Sequence, residues 1–178
     1  MKKILLVVVI IIFITLLLPL AIVWLIGGSG EGQSPIESGT VSVYVSEEDC
    51  VKDMDINEYL KCVVAAEMPA DFEEEALKAQ AVAARTYLYS HIAEKDKGNI
   101  AESHNGAAIC TDSTHCQAYI SEDKRRESWG AGAEENWNKI STAVDETTGQ
   151  IMTYKDEIIS AVFHSTSSGI KESAVDDW

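Results

Sequence analysis

Basic residues are scarce in this chain. Its 178 residues carry 14 lysines and arginines against 29 aspartates and glutamates, a formal net charge of −15 at neutral pH. Two of the basic residues, Lys2 and Lys3, stand apart at the N-terminus; beyond them 12 basic side chains face 29 acidic ones, a net charge of −17. Such a field repels the nucleic-acid backbone and anionic membrane surfaces, so neither is expected as a partner. Neutral and cationic substrates remain open, and much of the charge serves solubility. The sequence has no GxSxG and no glycine-rich phosphate loop, which argues against the serine-hydrolase and nucleotide-binding classes. No internal repeat is present. Cysteine is limited to Cys50, Cys62, Cys110 and Cys116. None of these directly follows the N-terminal apolar run, which excludes a lipoprotein anchor.

That run is the first feature present. Residues 4–26, "ILLVVVIIIFITLLLPLAIVWLI", are apolar apart from Thr15 and Pro19. At about 1.5 Å per residue, a helix of this length crosses a hydrocarbon core of roughly 30 Å. The apolar core of a cleaved signal is shorter, at about 7–15 residues. Lys2 and Lys3 on one side and acidic sequence on the other direct the N-terminus to the cytoplasm. The expected organisation is a cytoplasmic tail at 1–3, a transmembrane anchor at 4–26, a flexible linker at 27–40 and an extracytoplasmic domain at 41–178. The chain stops at "ESAVDDW" without a closing element, so that domain is expected to be incomplete at its C-terminal end.

Within the domain, "TVSVYVS" (40–46) alternates as a strand does. "DINEYLKCVVAAEMP" reads as a helix, with Asp55 as N-cap and Glu58 completing a capping box. It should end near Glu67 or Met68, because the residue before Pro69 is pushed out of the α region. "ADFEEEALKAQAVAARTYLYSHIAEK" is the strongest helix, with Asp71 as expected N-cap. Glu73, Glu74 and Glu75 complement the helix dipole in its first turn. Its apolar face is Leu77, Ala81, Ala84, Leu88 and Ile92. Residues 96–136 are polar and aperiodic. "NWNKISTAVDET" reads as a short helix, and "GQIMTYKDEIISAVFHS" as a hairpin turning at Lys155-Asp156. The expected fold class is α+β, with helices packed on an antiparallel sheet.

Three constellations can carry chemistry. The first is "HNGAAICTDSTHC", with His104, Cys110, His115 and Cys116. Two thiolates and two imidazoles make a tetrahedral zinc set, and a metal would order the long polar loop around them. Four protein ligands close such a site, which makes it structural. The competing reading is a Cys110–Cys116 disulfide with bystander histidines, and an extracellular setting permits it. The second is Glu67, which ends an apolar run two residues before Pro69. It is either a solvated helix-end residue or a general acid, since a carboxyl in apolar surroundings holds its proton toward neutral pH. The third is Arg85, Gln117, Tyr119, His164, Ser165 and Ser167, each able to hydrogen-bond a polar substrate and each by default a surface residue.

The stretches "EYLKCVVAAEMPADFEEEALKAQAVAARTY", "CTDSTHCQAY" and "GQIMTYKDEIISAVFHSTSSG" occur in one order, and together they resemble the stage II sporulation protein D family. That resemblance runs from about residue 40 to the end. It implies a membrane-anchored lytic transglycosylase that cuts peptidoglycan strands between N-acetylmuramic acid and N-acetylglucosamine during engulfment. The glutamate of "AAEMP", here Glu67, would be catalytic. His104, Cys110, His115 and Cys116 would hold zinc, and Arg85, Gln117, Tyr119 and the "HSTSSG" loop would line the substrate groove. Implied partners are the amidase stage II sporulation protein P, which strips stem peptides, and the membrane protein M. Cys62 departs from the glycine usual at its position, and a Cys50–Cys62 disulfide is open. Members of the family continue well beyond this chain's last residue. Outside the family, a zinc hydrolase and a non-catalytic wall-binding module remain as alternatives.

Overall fold

A computed structural model describes residues 39–163 and, before them, Phe13 alone. The expected anchor at 4–26 apart from Phe13, nearly all of the linker, and His164, Ser165 and Ser167 lie outside the described residues. Among those described, no helix is long and apolar enough to cross a membrane.

β1 (Thr40–Val45) is the central strand of a three-stranded sheet ordered β2-β1-β3. Its valines at 41, 43 and 45 are buried, as period-two alternation requires. β2 (Cys50–Asp55) pairs with β1 antiparallel, from Thr40 opposite Asp55 to Val45 opposite Cys50. β3 (Ile109–Cys110) pairs with β1 in parallel, Val43 opposite Ile109. The sheet is therefore mixed, which corrects the antiparallel expectation. A parallel neighbour needs a long crossover, and two helices supply it. β2 was not expected, because it is an edge strand whose side chains are mostly exposed. Lys52 and Asp53 on it carry the charge that protects such edges.

α1 (Ile56–Glu67) starts as the sequence suggests. The Asp55 carboxylate accepts from the backbone N–H groups of Asn57 at 2.9 Å and Glu58 at 3.1 Å. The capping box is only half made: Asp55 is the last residue of β2, and the Glu58 side chain pairs with Lys61 at 2.8 Å instead. The helix stops at Glu67, where Met68 turns extended (φ −131°, ψ 133°) ahead of Pro69. Ile56, Tyr59, Leu60, Val63 and Val64 form its buried face at spacings of three and four.

α2 (Glu74–Asp96) begins after Glu73 rather than Asp71, and Glu73 makes no side-chain capping bond. Glu74 and Glu75 are held by Lys78, which also reaches Glu146 at 2.7 Å. Leu77, Ala81, Ala84 and Leu88 are fully buried. The expected loop at 96–136 contains real structure: a 3-10 turn at Glu102–His104, β3, and α3 (Glu122–Trp129). α4 (Ala133–Glu146) follows and packs against α1, α2 and α3. A short hairpin of β4 (Thr153–Tyr154) and β5 (Glu157–Ile158) turns at Lys155 and Asp156, both at positive φ. The core lies among the inner face of β1 and helices α1, α2 and α4.

Arg85 is 1% exposed. Its guanidinium donates to the Thr147 carbonyl at 2.6 Å, the Val144 carbonyl at 3.0 Å and Asn57 Oδ1 at 3.0 Å. It thus satisfies the free carbonyls at the end of α4 and ties that end to α1 and α2. Removing one partner of a buried charged hydrogen-bond set is costly. Arg85→Met is expected to lower the unfolding free energy by about 3 kcal/mol in urea titrations. Unchanged stability with weakened glycan binding would instead return Arg85 to the substrate groove.

Candidate active site and metal centre

Glu67 is the last residue of α1, partly buried, at the break made by Pro69. Its Oε1 accepts from the backbone N–H of Ala118 at 2.7 Å. Among the described residues, nothing is bonded to Oε2. Glu67 lines a cleft of about 440 Å³ with Ala66, Pro69, Ala70, Asp71, Arg125, Trp129 and Asn136. One oxygen is therefore anchored by the backbone, and the residue borders an open space. That is a suitable arrangement for a group that exchanges a proton with a bound molecule.

The other expected groove residues separate. Arg85 is engaged in the core as described. Gln117 is 4% exposed, and neither atom of its amide has a partner among the described residues. Tyr119 is half-buried, stacked on Tyr59 with ring centroids 5.8 Å apart. Burial raises its phenol well above the ordinary range, with the Cys62 thiol adding to the shift. Neither residue lines the Glu67 cleft. Sequence reading missed Arg125, Trp129 and Asn136, and took Asp71 for a cap. A signal for two of them was present: Arg125 and Trp129 stand four apart on α3, on one helix face, in a chain poor in cations.

The four expected metal ligands do converge. One donor atom from each of His104, Cys110, His115 and Cys116 lies within 4.8 Å of all the others. His104 Nε2 is 3.1 Å from His115 Nδ1 and 3.2 Å from Cys116 Sγ. His115 Nδ1 is 3.6 Å from Cys110 Sγ and 3.4 Å from Cys116 Sγ. A tetrahedral ion with bonds of ~2.0–2.3 Å needs donors roughly 3.3–3.8 Å apart. Four of the separations lie in or near that range, so the set could hold a four-coordinate metal ion. His115 Nε2 meets Ser103 Oγ at 3.1 Å, an outer contact of the kind that fixes a ligand's tautomer.

The local electrostatics agree with that use. Burial lowers the pKa of His104, and the neighbouring His115 and His91 lower it further, which favours the neutral imidazole a metal needs. Burial pushes the Cys116 thiol up to about 12, and nearby Cys110 contributes. The Cys116 thiol therefore resists ionising without a cation beside it, and a coordinating ion reverses this. All four cysteines are free thiols, so the structure contains neither the Cys110–Cys116 nor the Cys50–Cys62 disulfide. Cys62 is packed in the core, where burial raises its pKa to about 11.

The two features are joined by a short piece of chain. Cys116 is a candidate ligand, and Ala118, two residues on, supplies the N–H that holds Glu67. A larger cavity of about 750 Å³ borders the ligand cluster, walled by His91, His104, His115, Glu94, Lys97 and Glu157. Glu67 does not line it.

Comparison with known proteins agrees with the sequence motifs. A family profile described as Stage II sporulation protein matches residues 44–154. Stage II sporulation protein D of Bacillus amyloliquefaciens is 37% identical over 146 residues, covering 82% of this chain and 40% of that protein. The Bacillus subtilis (strain 168) protein of the same name is 36% identical over 152 residues, 84% of this chain and 43% of that one. The amidase enhancer of Bacillus subtilis is 34% identical over 119 residues, 67% of this chain and 13% of that protein. The chain thus spans about two-fifths of the length of the two sporulation proteins it matches. The matched region contains Glu67 and all four metal-ligand candidates, and on this breadth of agreement the chain belongs to the stage II sporulation protein D family.

Proposed function

We propose that this chain carries the acid/base site of a lytic transglycosylase acting on peptidoglycan glycan strands during sporulation. The observation that carries the reading is Glu67, whose carboxylate is held by the Ala118 N–H at a helix end and which lines a cleft. Protonated Glu67 donates to the glycosidic oxygen between N-acetylmuramic acid and N-acetylglucosamine as that bond breaks. Positive charge builds at C1 of the muramic ring. Glu67, now ionised, accepts the proton of the muramic C6 hydroxyl, whose oxygen attacks C1. The products are a 1,6-anhydro end and a free N-acetylglucosamine hydroxyl, and no water is consumed. One residue therefore serves where ordinary glycosidases need two carboxylates.

His104, Cys110, His115 and Cys116 would hold zinc, the ion whose usual ligands and geometry this donor set matches. With four protein ligands its contribution is structural: it ties the 104–116 segment together. This reasoning disfavours a zinc hydrolase, which keeps a coordination position open for water. Placement in the cell membrane by residues 4–26, with the domain outside, belongs to the same proposal. So do the partners: glycan strands freed of stem peptides, the amidase stage II sporulation protein P and the membrane protein M. The similarity to an amidase enhancer supports a setting in wall remodelling.

One observation favours a second reading. Asp71 lines the same cleft as Glu67, and two carboxylates across a sugar are the equipment of a hydrolase. Digestion of peptide-free glycan in oxygen-18 water, followed by mass spectrometry, separates the readings. Unlabelled 1,6-anhydro ends are expected. Labelled reducing ends would establish the hydrolase, and retention of glycan without cleavage would establish a binding module.

A further inference from the structure

We propose that Arg125 reads the free lactyl carboxylate of N-acetylmuramic acid and so selects glycan from which the stem peptide has been removed. The proposal rests on the glycan-cleaving reading above and assigns that site a specificity residue.

Arg125 lines the cleft that holds Glu67. In a chain with about twice as many acids as bases, an unpaired arginine is unusual. Its neighbour Arg126 is bound to Glu122 at one end and Glu134 at the other. Arg125 has no carboxylate partner among the described residues, and its Nε is shut from solvent without a hydrogen bond. The guanidinium is nevertheless held in place. It lies 4.9 Å from the centre of the Trp129 ring, and Trp129 in turn packs at 6.4 Å against Trp137, a residue of the core. A stacked, pre-positioned guanidinium presents a planar fork that matches a carboxylate by two parallel hydrogen bonds.

The substrate chemistry supplies that carboxylate. Each muramic residue carries a lactyl group at O3. With a stem peptide attached, its carboxyl carbon is a neutral amide. With the peptide removed, it is an anion. An acidic domain repels a strand of such anions, so the cleft requires a local cation to admit one. Among the residues lining the cleft, Arg125 is the only cation.

The test is a binding measurement on the whole chain carrying Glu67→Gln, so that no glycan is consumed. Two probes are used: peptide-free glycan with free lactyl carboxylates, and the same glycan with those carboxylates converted to methylamides. The Glu67→Gln chain is expected to prefer the carboxylate form by about tenfold or more, as charge-assisted hydrogen bonds do. Adding Arg125→Gln should reduce that ratio to near one, and Arg125→Lys should retain part of it. Equal affinity for both glycans in the parent overturns the proposal. So does an unchanged preference in an Arg125→Gln protein that melts at the parent's temperature. If Arg125→Gln melts early, Arg125→Lys decides, and an undiminished preference there is fatal. The preference is read without turnover, so it stands or falls separately from the anhydro-product test of Glu67.

Discussion

Glu67→Gln protein is expected to fold normally and to release no detectable 1,6-anhydro product from peptide-free glycan. The substitution is nearly isosteric. The glutamine carbonyl can still accept the Ala118 N–H that now bonds Oε1, so the cleft and the 116–118 segment should keep their shape. What disappears is the exchangeable proton. Positioned acid/base catalysis is worth roughly 10²–10⁴-fold, and in the proposed scheme one group performs both transfers, so the loss should fall at the upper end or beyond. The variant's melting temperature and circular dichroism, measured beside its turnover, check the claim. A folded Glu67→Gln chain with parental turnover would remove Glu67 from the chemistry. Asp71→Asn is the companion measurement: retained cleavage supports the single-carboxylate scheme, and a matching collapse supports the hydrolase.

The second large effect is expected from the proposed metal centre. Stripping the ion with a chelator, or replacing Cys110 by serine, should loosen residues 104–119 and lower the melting temperature. Structural zinc contributes its binding free energy to folding, and apparent values in small zinc peptides reach ~10–16 kcal/mol near neutral pH. This domain also has a core of three helices on a sheet, so it should lose a segment and not the whole fold. Hydrogen exchange should rise first at 104–116 and then at Ala118, whose N–H is bonded to Glu67. Activity should fall with the protection at Ala118. The ion must displace thiol protons, and the metal-free Cys116 thiol holds its proton up to about 12. Metal affinity should therefore weaken as pH falls, with protons released on binding in an unbuffered titration. Full retention of amide protection at 104–119 in metal-free protein would dismiss the structural role.

Much of the candidate site was legible because its chemistry is local in sequence. Four candidate ligands fall between His104 and Cys116, and their spacing alone raised a metal centre. Glu67 was legible because an apolar helix runs directly into it and Pro69 fixes the helix end. The cleft opposite Glu67 was not. Arg125, Trp129 and Asn136 reach it from α3 and α4, and no sequence pattern announces which helix faces which. Arg85 was expected in the groove from its family motif, and the structure commits its guanidinium to the end of α4. A buried arginine cannot be told from an exposed one by its neighbours alone. The long helices followed from periodicity and from the Asp55 cap. β2 escaped because an exposed edge strand has no apolar alternation, and two-residue β3 because its pairing partner is remote in sequence.

The parallel join of β1 to β3 also bears on the order in which the chain assembles. Ser42 and Ala108, which bond across it, are separated by 66 positions. Closing a loop of that size carries a larger entropic cost than closing the dozen or so residues between the outermost ligands. With the proposed ion bound, the 104–116 loop would gather while the sheet is still open, and β3, which ends in Cys110, would reach the growing core as a ready-made edge, shortening the search for its distant partner.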